Sequence, residues 1–299
     1  MADTPAATPV PAAQPAPVTV STAATTTAPV PAAPTAPAPA PIVPTQKPMK
    51  IGTVPFLNAQ PLLWTLKERG HQLFPVAPSE MGALLQEGRL DVALAPIAAY
   101  FLNPKLQIVP IGAIGCKGPV KSVRLLSHAP LQIVTKLYAD ARSQTSVLLA
   151  RLVLKKWFGV KRLDVQHVEM ADFKPGQTKP WEVTLQFGDN ALITAPYGMT
   201  VTDLGEEWFN HTQKPFVFAV WMARNVPIAR EIETDLLNAK NEGLKHFDDI
   251  ANTYKGIWIF QRPQSKEYLE KNIHYAYGPE EVKGQLEFQK LLKEEGLII

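Results

Sequence analysis

Residues 50–63 read KIGTVPFLNAQPLL, an apolar run that passes into a turn rich in Asn, Gln and Pro. The first half, 50–56, has the pattern of a buried strand. The second half has the polar opening and apolar stripe of a helix. Two other stretches repeat this arrangement of a strand end followed by small polar groups: GCKGPVKS at 115–122 and SQTS at 143–146. Ligands of open α/β sheets bind beyond the carboxyl ends of the strands, so the three stretches are read as walls of one site. None of them contains Asp, Glu or His. The ligand is therefore expected to be an anion rather than a cation, and much ordinary acid–base chemistry is excluded.

Further strands are expected at 71–76, 91–95, 107–114 and 122–127, with helices over 58–69 and 79–88. Asn58 and Ser79 are read as N-caps of these helices, Pro61 as a first-turn proline, Leu62, Leu63 and Leu66 as the buried stripe, and Gly88 as a helix stop. A second unit follows: strand 132–139, helix 145–158, strand 164–169 and an apolar run at 184–194. FVFAVWMA at 216–223 is long enough for a buried strand joining two lobes. Helices over 228–254, 265–274 and 279–295 then pack back on the first unit. The expected class is α/β with two lobes, the second inserted into the first. Lobe I is assigned to 49–124 and 220–299 and lobe II to 125–219, with a hinge formed by 122–127 and 216–222.

The 299 residues carry 30 Lys and Arg against 27 Asp and Glu, a formal net charge of +3. That balance, with the basic residues scattered, argues against a nucleic-acid surface. Cys116 stands alone, which excludes an intrachain disulfide and a cysteine-based metal site. The six histidines are far apart and no pair has metal-ligand spacing on a helix, so no metal is expected. Residues 1–48 are almost entirely Ala, Pro, Thr and Val, with Asp3 and Lys47 the only charges and no aromatic residue. Ordering a backbone costs about 1–2 kcal/mol per residue, and this segment has nothing large to bury in return. It is read as a disordered Pro/Ala-rich tail, without the basic start of a secretory signal and too interrupted by proline to span a membrane. The cytoplasm is the default compartment. Monomer and homodimer both remain open.

Six stretches together resemble a known family: FLNAQPL (56–62), DVALAPIAAY (91–100), IGCKGPVKSV (114–123), SQTSVLLARLVL (143–154), FGDNAL (187–192) and DLGEEWFNHTQKPFVFAVW (203–221). In this order they are similar to the chorismate dehydratases of the futalosine route to menaquinone, over essentially all of 49–299. The resemblance implies the two-lobed fold of type II periplasmic solute-binding proteins, used as an enzyme that converts chorismate to 3-[(1-carboxyvinyl)oxy]benzoate and water without a metal or organic cofactor. One departure stands out. The family usually shows Ser-Arg-Thr-Ser where this chain has Ser143, Gln144, Thr145 and Ser146, so a bidentate carboxylate partner is lost. If that Arg holds ligand, Lys121, Arg124 or Arg142 has to substitute.

The resemblance carries Asn58, from the family's Leu-Asn motif, and Ser122, from its Gly-Pro-Val-x-Ser motif, to positions beside the reacting carbons. It also implies that the enolpyruvyl carboxylate of the substrate takes the C3 proton. The hydroxyls of Thr145 and Ser146, with the N–H groups opening their helix, suit the ring carboxylate. Ser143 is read as the N-cap of that helix and Asp189 as a contact to a substrate hydroxyl or a turn residue. Phe218 and Trp221 are cleft or core aromatics, Cys116 a small packed residue and Asp91 a residue that orients backbone. Two other functions share these features. A non-catalytic carboxylate-binding solute receptor has the same fold, and 1,4-dihydroxy-6-naphthoate synthase is a related enzyme. The second carries a His base and a Ser-Pro-Cys-Pro-Asn-Asp-like motif where this chain reads VPFLNAQP.

Overall fold

The strands are the apolar runs marked above, and they divide between two sheets. A computed structural model describes residues 48–169, 173–194, 196, 198–256 and 262–299. Apart from Pro48, the tail expected over 1–48 lies outside the described residues. In chain order the strands are β1 (Lys50–Thr53), β2 (Gln72–Pro75), β3 (Val92–Pro96), β4 (Leu106–Cys116), β5 (Val123–Ser127), β6 (Lys136–Ala139), β7 (Asp164–His167), β8 (Glu182–Phe187), β9 (Thr200–Asp203) and β10 (Phe216–Arg224). The first sheet runs β2-β1-β3-β10-β4 and the second β7-β6-β8-β5-β9. In each, three parallel strands are followed by one antiparallel strand that separates them from the fifth. Parallel strands covered on both faces need continuous apolar sequence, and β3 is buried along its whole length.

The chain leaves the first sheet after β4, builds β5 to β9 in the second, and returns at β10. The stretches expected to form the hinge are taken up by β5 and β10, and the crossings fall just ahead of them, at 117–122 and 213–215. An aromatic cluster staples the return crossing. Trp208 meets Phe216 and Phe288 edge-on, at 5.1 and 5.7 Å between ring centres, and its indole N–H donates to Pro215 O at 3.3 Å. Such pairs are worth about 0.5–1.5 kcal/mol each beyond their burial.

The helices are α1 (Gln60–Leu63), α2 (Met81–Gln86), α3 (Ile97–Phe101), α4 (Gln144–Leu152), α5 (Gly188–Ile193), α6 (Leu204–Thr212), α7 (Arg230–Gly243), α8 (Phe247–Thr253), α9 (Arg262–Glu267) and α10 (Pro279–Glu294). Several are shorter than expected, for tertiary reasons. The helix expected over 58–69 is a 3-10 turn, Leu57–Ala59, followed by the single turn of α1. Trp64 leaves the helical conformation and stacks on His246 at 5.2 Å, while Leu62, Leu63 and Leu66 are buried as expected. Neither Asn58 nor Ser79 is an N-cap: Asn58 lies inside its 3-10 turn, and Ser79 inside a second one, Pro78–Glu80. The run 184–194 splits into the end of β8 and α5 at Gly188, whose φ of +64° suits glycine. The stretch 228–254 splits into α7 and α8. At Gly243 the backbone of α7 approaches α1 so closely that a Cβ would sit 2.0 Å from Pro61 O. The helix expected over 145–158 continues beyond α4 as a π turn, Val153–Trp157, and that over 265–274 becomes α9 plus a π turn, Tyr268–Asn272.

Candidate active site

The cleft lies where the carboxyl ends of the parallel strands of both sheets face one another. Val54, Phe56 and Asn58 follow β1, Pro96 ends β3, Ser143 to Ser146 follow β6, and Phe187 and Gly188 close β8. Val120, Ser122 and Val123 enter from the first crossing, and Phe218 and Ala219 from β10. The cavity volume is about 80 Å³, below the roughly 300–1,000 Å³ usual for small-molecule sites, so the cleft is nearly closed. Its polar lining is Asn58, Ser122, Ser143, Gln144, Thr145 and Ser146, and no ionisable side chain is among the described lining residues. Five of the six residues singled out in the sequence are thus brought to one cavity. Phe218 is there too, whereas Trp221 is fully buried in the core.

Asn58 and Ser122 meet at a residue that the sequence did not single out. The Asn58 Nδ2 donates to the hydroxyl of Tyr268 at 3.0 Å, and the neighbouring Ser122 hydroxyl works against the upward shift of that phenol. Burial pushes the Tyr268 hydroxyl well above its ordinary value, so it stays protonated. Asn58 Oδ1 is buried with no hydrogen-bond partner. Ser122 is held by its loop: Asp203 accepts from Val120 N at 3.0 Å and also from Lys121 N, while capping α6 through Gly205 N at 2.9 Å and Glu206 N at 3.1 Å. Desolvation raises the Asp203 carboxyl although these four donors pull it down.

The first turn of α4 forms the opposite wall. Its leading N–H groups have no acceptor within the helix, the usual condition for anion binding at a helix N-terminus. Ser143 occupies the N-cap position, but its hydroxyl makes no cap bond. It is 4% exposed and has no hydrogen-bond partner. The Thr145 Oγ1 is engaged across the cleft, accepting from Ala98 N at the start of α3 at 3.2 Å. Gln144 reaches the same way, its Nε2 3.5 Å from Ser79 O. The three basic residues considered as substitutes at this wall lie elsewhere. Arg142 is paired with Asp140, Arg124 donates to Thr194 O, and Lys121 lies 4.0 Å from Glu267.

Asp189 is the sixth expected residue, and its carboxylate spans the lobes rather than lining the cleft. Its Oδ1 accepts from Leu57 N at 3.1 Å, and its Oδ2 accepts from the Tyr254 hydroxyl, which also lies 3.0 Å from Pro55 O. Burial raises the Asp189 carboxyl, against the opposing effect of these donors. The Tyr254 hydroxyl is raised by burial and by the neighbouring Asp189 charge. Phe56 and Phe187 meet edge-on beside this clasp at 5.6 Å. Two smaller expectations hold. Asp91 accepts from Lys50 N at 2.8 Å, orienting the start of β1. Cys116 is buried, with its thiol raised by desolvation, as suits a packed residue.

Tyr254 and Tyr268 were missed because both lie in the C-terminal helices, 199 and 210 residues from Pro55 and Asn58, where sequence pattern reports packing alone. Asp203 did carry a signal. Asp203 followed by Glu206 is the spacing of a capping box, although its reach to the Ser122 loop is tertiary.

Comparison with known proteins agrees with this architecture. Residues 49–294 match the sequence profile of a family described as Menaquinone biosynthesis. A chorismate dehydratase of Thermus thermophilus is 27% identical over 228 residues, 69% of this chain and 81% of the relative. Among solved structures, a protein of Archaeoglobus fulgidus has a TM-score of 0.69 at 14% identity, covering 85% of this chain and 100% of its own. The periplasmic aliphatic sulphonate binding protein SsuA of Escherichia coli has a TM-score of 0.54 at 15% identity, covering 85% of this chain and 89% of its own. A Candida albicans gene product described as having the generic periplasmic binding protein structural fold also scores 0.54, at 13% identity over 84% of this chain and 91% of its own. The structural neighbours establish the two-lobed binding-protein fold, and the profile match covers most of the sequence: the chain belongs to the menaquinone biosynthesis family.

Proposed function

We propose that this protein is a chorismate dehydratase, a hydro-lyase that converts chorismate to 3-[(1-carboxyvinyl)oxy]benzoate and water. Family membership and the dehydratase relative support that assignment. The observation that carries it in the site is the lining of the cleft. Uncharged hydrogen-bonding groups and a helix N-terminus suit an anionic ligand, and no ionisable side chain among the described lining residues offers a proton acceptor. A dehydration in such a cleft needs a base that arrives with the substrate.

The chemistry fits that requirement. The C3 proton of chorismate is vinylogously acidic, because the charge left by its removal spreads into the ring carboxylate. That carboxylate docks at the start of α4, where the Ser143 hydroxyl and the leading N–H groups stabilise the growing charge. The enolpyruvyl carboxylate takes the C3 proton, the C3–H electron pair becomes a ring double bond, and the C4–O bond breaks. The proton and the departing hydroxide leave together as water. Asn58 and Ser122 hold the C3 and C4 substituents in place, and positioning of this kind is worth up to about 7–11 kcal/mol in favourable cases. The lobes close over the substrate about the crossings at 117–122 and 213–215, excluding water. Among the described residues no helix is long and apolar enough to cross a membrane, and the cytoplasm, where chorismate is made, is the proposed compartment.

The protein incubated with chorismate and no added cofactor tests this reading. A product lighter by one water with the absorbance of a substituted benzoate is expected. Chorismate that is bound but recovered unchanged would favour the solute-receptor reading instead.

A further inference from the structure

The crossing from the first sheet to the second contains a strained turn, and that turn carries Ser122. Ser122 N donates back to Val120 O at 2.7 Å, closing a three-residue γ turn centred on Lys121, whose φ is +59°. The form with a positive central φ is rare and strained, and residues other than glycine hold it only where their surroundings over-determine it. The Lys121 side chain does not provide that hold, since it is half exposed and its Nζ lies 4.0 Å from Glu267. Val120 and Ser122 on either side of it are buried and line the cleft, so the turn decides where the Ser122 hydroxyl comes to lie.

The carboxylate of Asp203 takes the two N–H groups that the turn itself leaves over. Its Oδ1 accepts from Val120 N at 3.0 Å and its Oδ2 from Lys121 N at 2.6 Å. Bonds to an ionised acceptor are roughly twice as strong as neutral ones, and two of them fall on adjacent residues here. Asp203 is fixed in turn at the end of β9, opposite Arg124 of β5, and its Oδ1 also caps α6 through Gly205 N and Glu206 N. That helix seats directly on the crossing, where a Cβ at Gly205 would lie 2.8 Å from Gly118 O. We propose that Asp203 is a positioning residue for the reaction, which holds the γ turn at Lys121 and so aims Ser122 into the cleft. The two oxygens divide the work: Oδ1 joins the turn to the helix cap, and Oδ2 holds the strained residue.

The role of Ser122 rests on the dehydratase reading, so a ligand-free measurement accompanies the kinetics. Asp203→Asn keeps the shape and leaves Oδ1 its three donors, while Nδ2 then faces the Lys121 N–H as donor against donor. Relative to wild type, kcat is expected to fall on the order of 10- to 100-fold with KM changed less than about threefold, as for an interaction realised in the transition state. Adding Lys121→Gly to that variant is expected to raise kcat again by about fivefold or more, because glycine adopts a positive φ without being held there. A carboxylate that served folding alone would not be rescued by a change confined to that φ. Lys121→Val leaves Asp203 in place and carries the test if Asp203→Asn does not fold: a β-branched residue resists the turn, and kcat is expected to fall in the same way. Separately, the backbone amide signals of Lys121 and Ser122, read by 15N NMR without ligand, are expected to shift in Asp203→Asn while those of β1 and α7 stay in place. Wild-type kcat in Asp203→Asn or Lys121→Val, no recovery on adding Lys121→Gly, or unmoved Lys121 and Ser122 signals would each overturn the proposal. A wild-type protein that leaves chorismate intact would overturn the dehydratase reading alone, and the amide signals would then decide whether Asp203 sets the turn.

Discussion

The carboxylate of Asp189 in the second lobe accepts a hydrogen bond from the backbone N–H of Leu57 in the first, at 3.1 Å. Leu57 directly precedes Asn58, so the bond that ties the lobes also places a residue of the cleft. The Tyr254 hydroxyl completes the clasp from the C-terminal helices, and Thr145 to Ala98 forms a second bridge across the cleft. The conformation described here is thus a closed one, held by polar contacts at two places on the rim.

Asp189→Ala removes the acceptor for both the Leu57 N–H and the Tyr254 hydroxyl. A buried donor left unsatisfied costs about 1–3 kcal/mol, here paid on closure. KM for chorismate is expected to rise on the order of tenfold, and steady-state kinetics beside a thermal melt separate this from general unfolding. An unchanged KM would mean that the clasp plays no part in closure.

The same carboxylate gives a pH signature. Its value in the folded protein is raised above the ordinary 3.8, chiefly by burial, so the native state binds more protons than the unfolded chain in the window that opens above that value. Stability from this group is therefore complete below the ordinary value and is lost as pH rises through the raised one. Asp203 shifts in the same direction for the same first cause. Thermal melts of wild type are expected to show this decline, and Asp189→Asn to make it shallower. An identical slope in the variant would contradict the assignment.

Ser143 separates binding from folding. Its hydroxyl is buried without a partner, so Ser143→Ala removes an unsatisfied group and should leave the melting temperature unchanged or slightly higher. Loss of one hydrogen bond to a charged ligand, about 1.5–3 kcal/mol, should nevertheless raise KM roughly 10- to 100-fold. A destabilised variant with normal KM would make Ser143 a structural residue.

Gly243 is where α7 touches α1. A Cβ there would lie 2.0 Å from Pro61 O, a backbone atom, so the helices must separate to admit it. Gly243→Ala is expected to cost about 1–3 kcal/mol, read as a lower denaturant midpoint. Because Pro61 follows Asn58 by three residues, activity should fall as well.

Much of this architecture was legible because its signals are local. The run KIGTVPF announces a strand end by composition, and Ser143 to Ser146 opens an apolar-striped helix, so the cleft walls could be placed from pattern alone. The length of the first helix could not. Trp64 leaves it to stack on His246, 182 positions away, and no local propensity encodes that partner. The N-cap reading of Asn58 fails for a similar reason. A polar residue ahead of an apolar stripe reads as an N-cap, whereas the structure spends its amide on Tyr268. Asp189 reads as a contact to a substrate hydroxyl or a turn residue, and its bonds to Leu57 N and the Tyr254 hydroxyl are not legible in the sequence, since those partners come from two distant segments.

The central claim is that this cleft removes the C3 proton and the C4 hydroxyl of chorismate together, and chorismate deuterated at C3 tests it most directly. Mixed with the full chain and no cofactor, it should lose HDO and give a benzoate free of deuterium, followed by mass. Deuterium retained in a product, or deuterated chorismate recovered whole from a protein that binds it, would contradict the account.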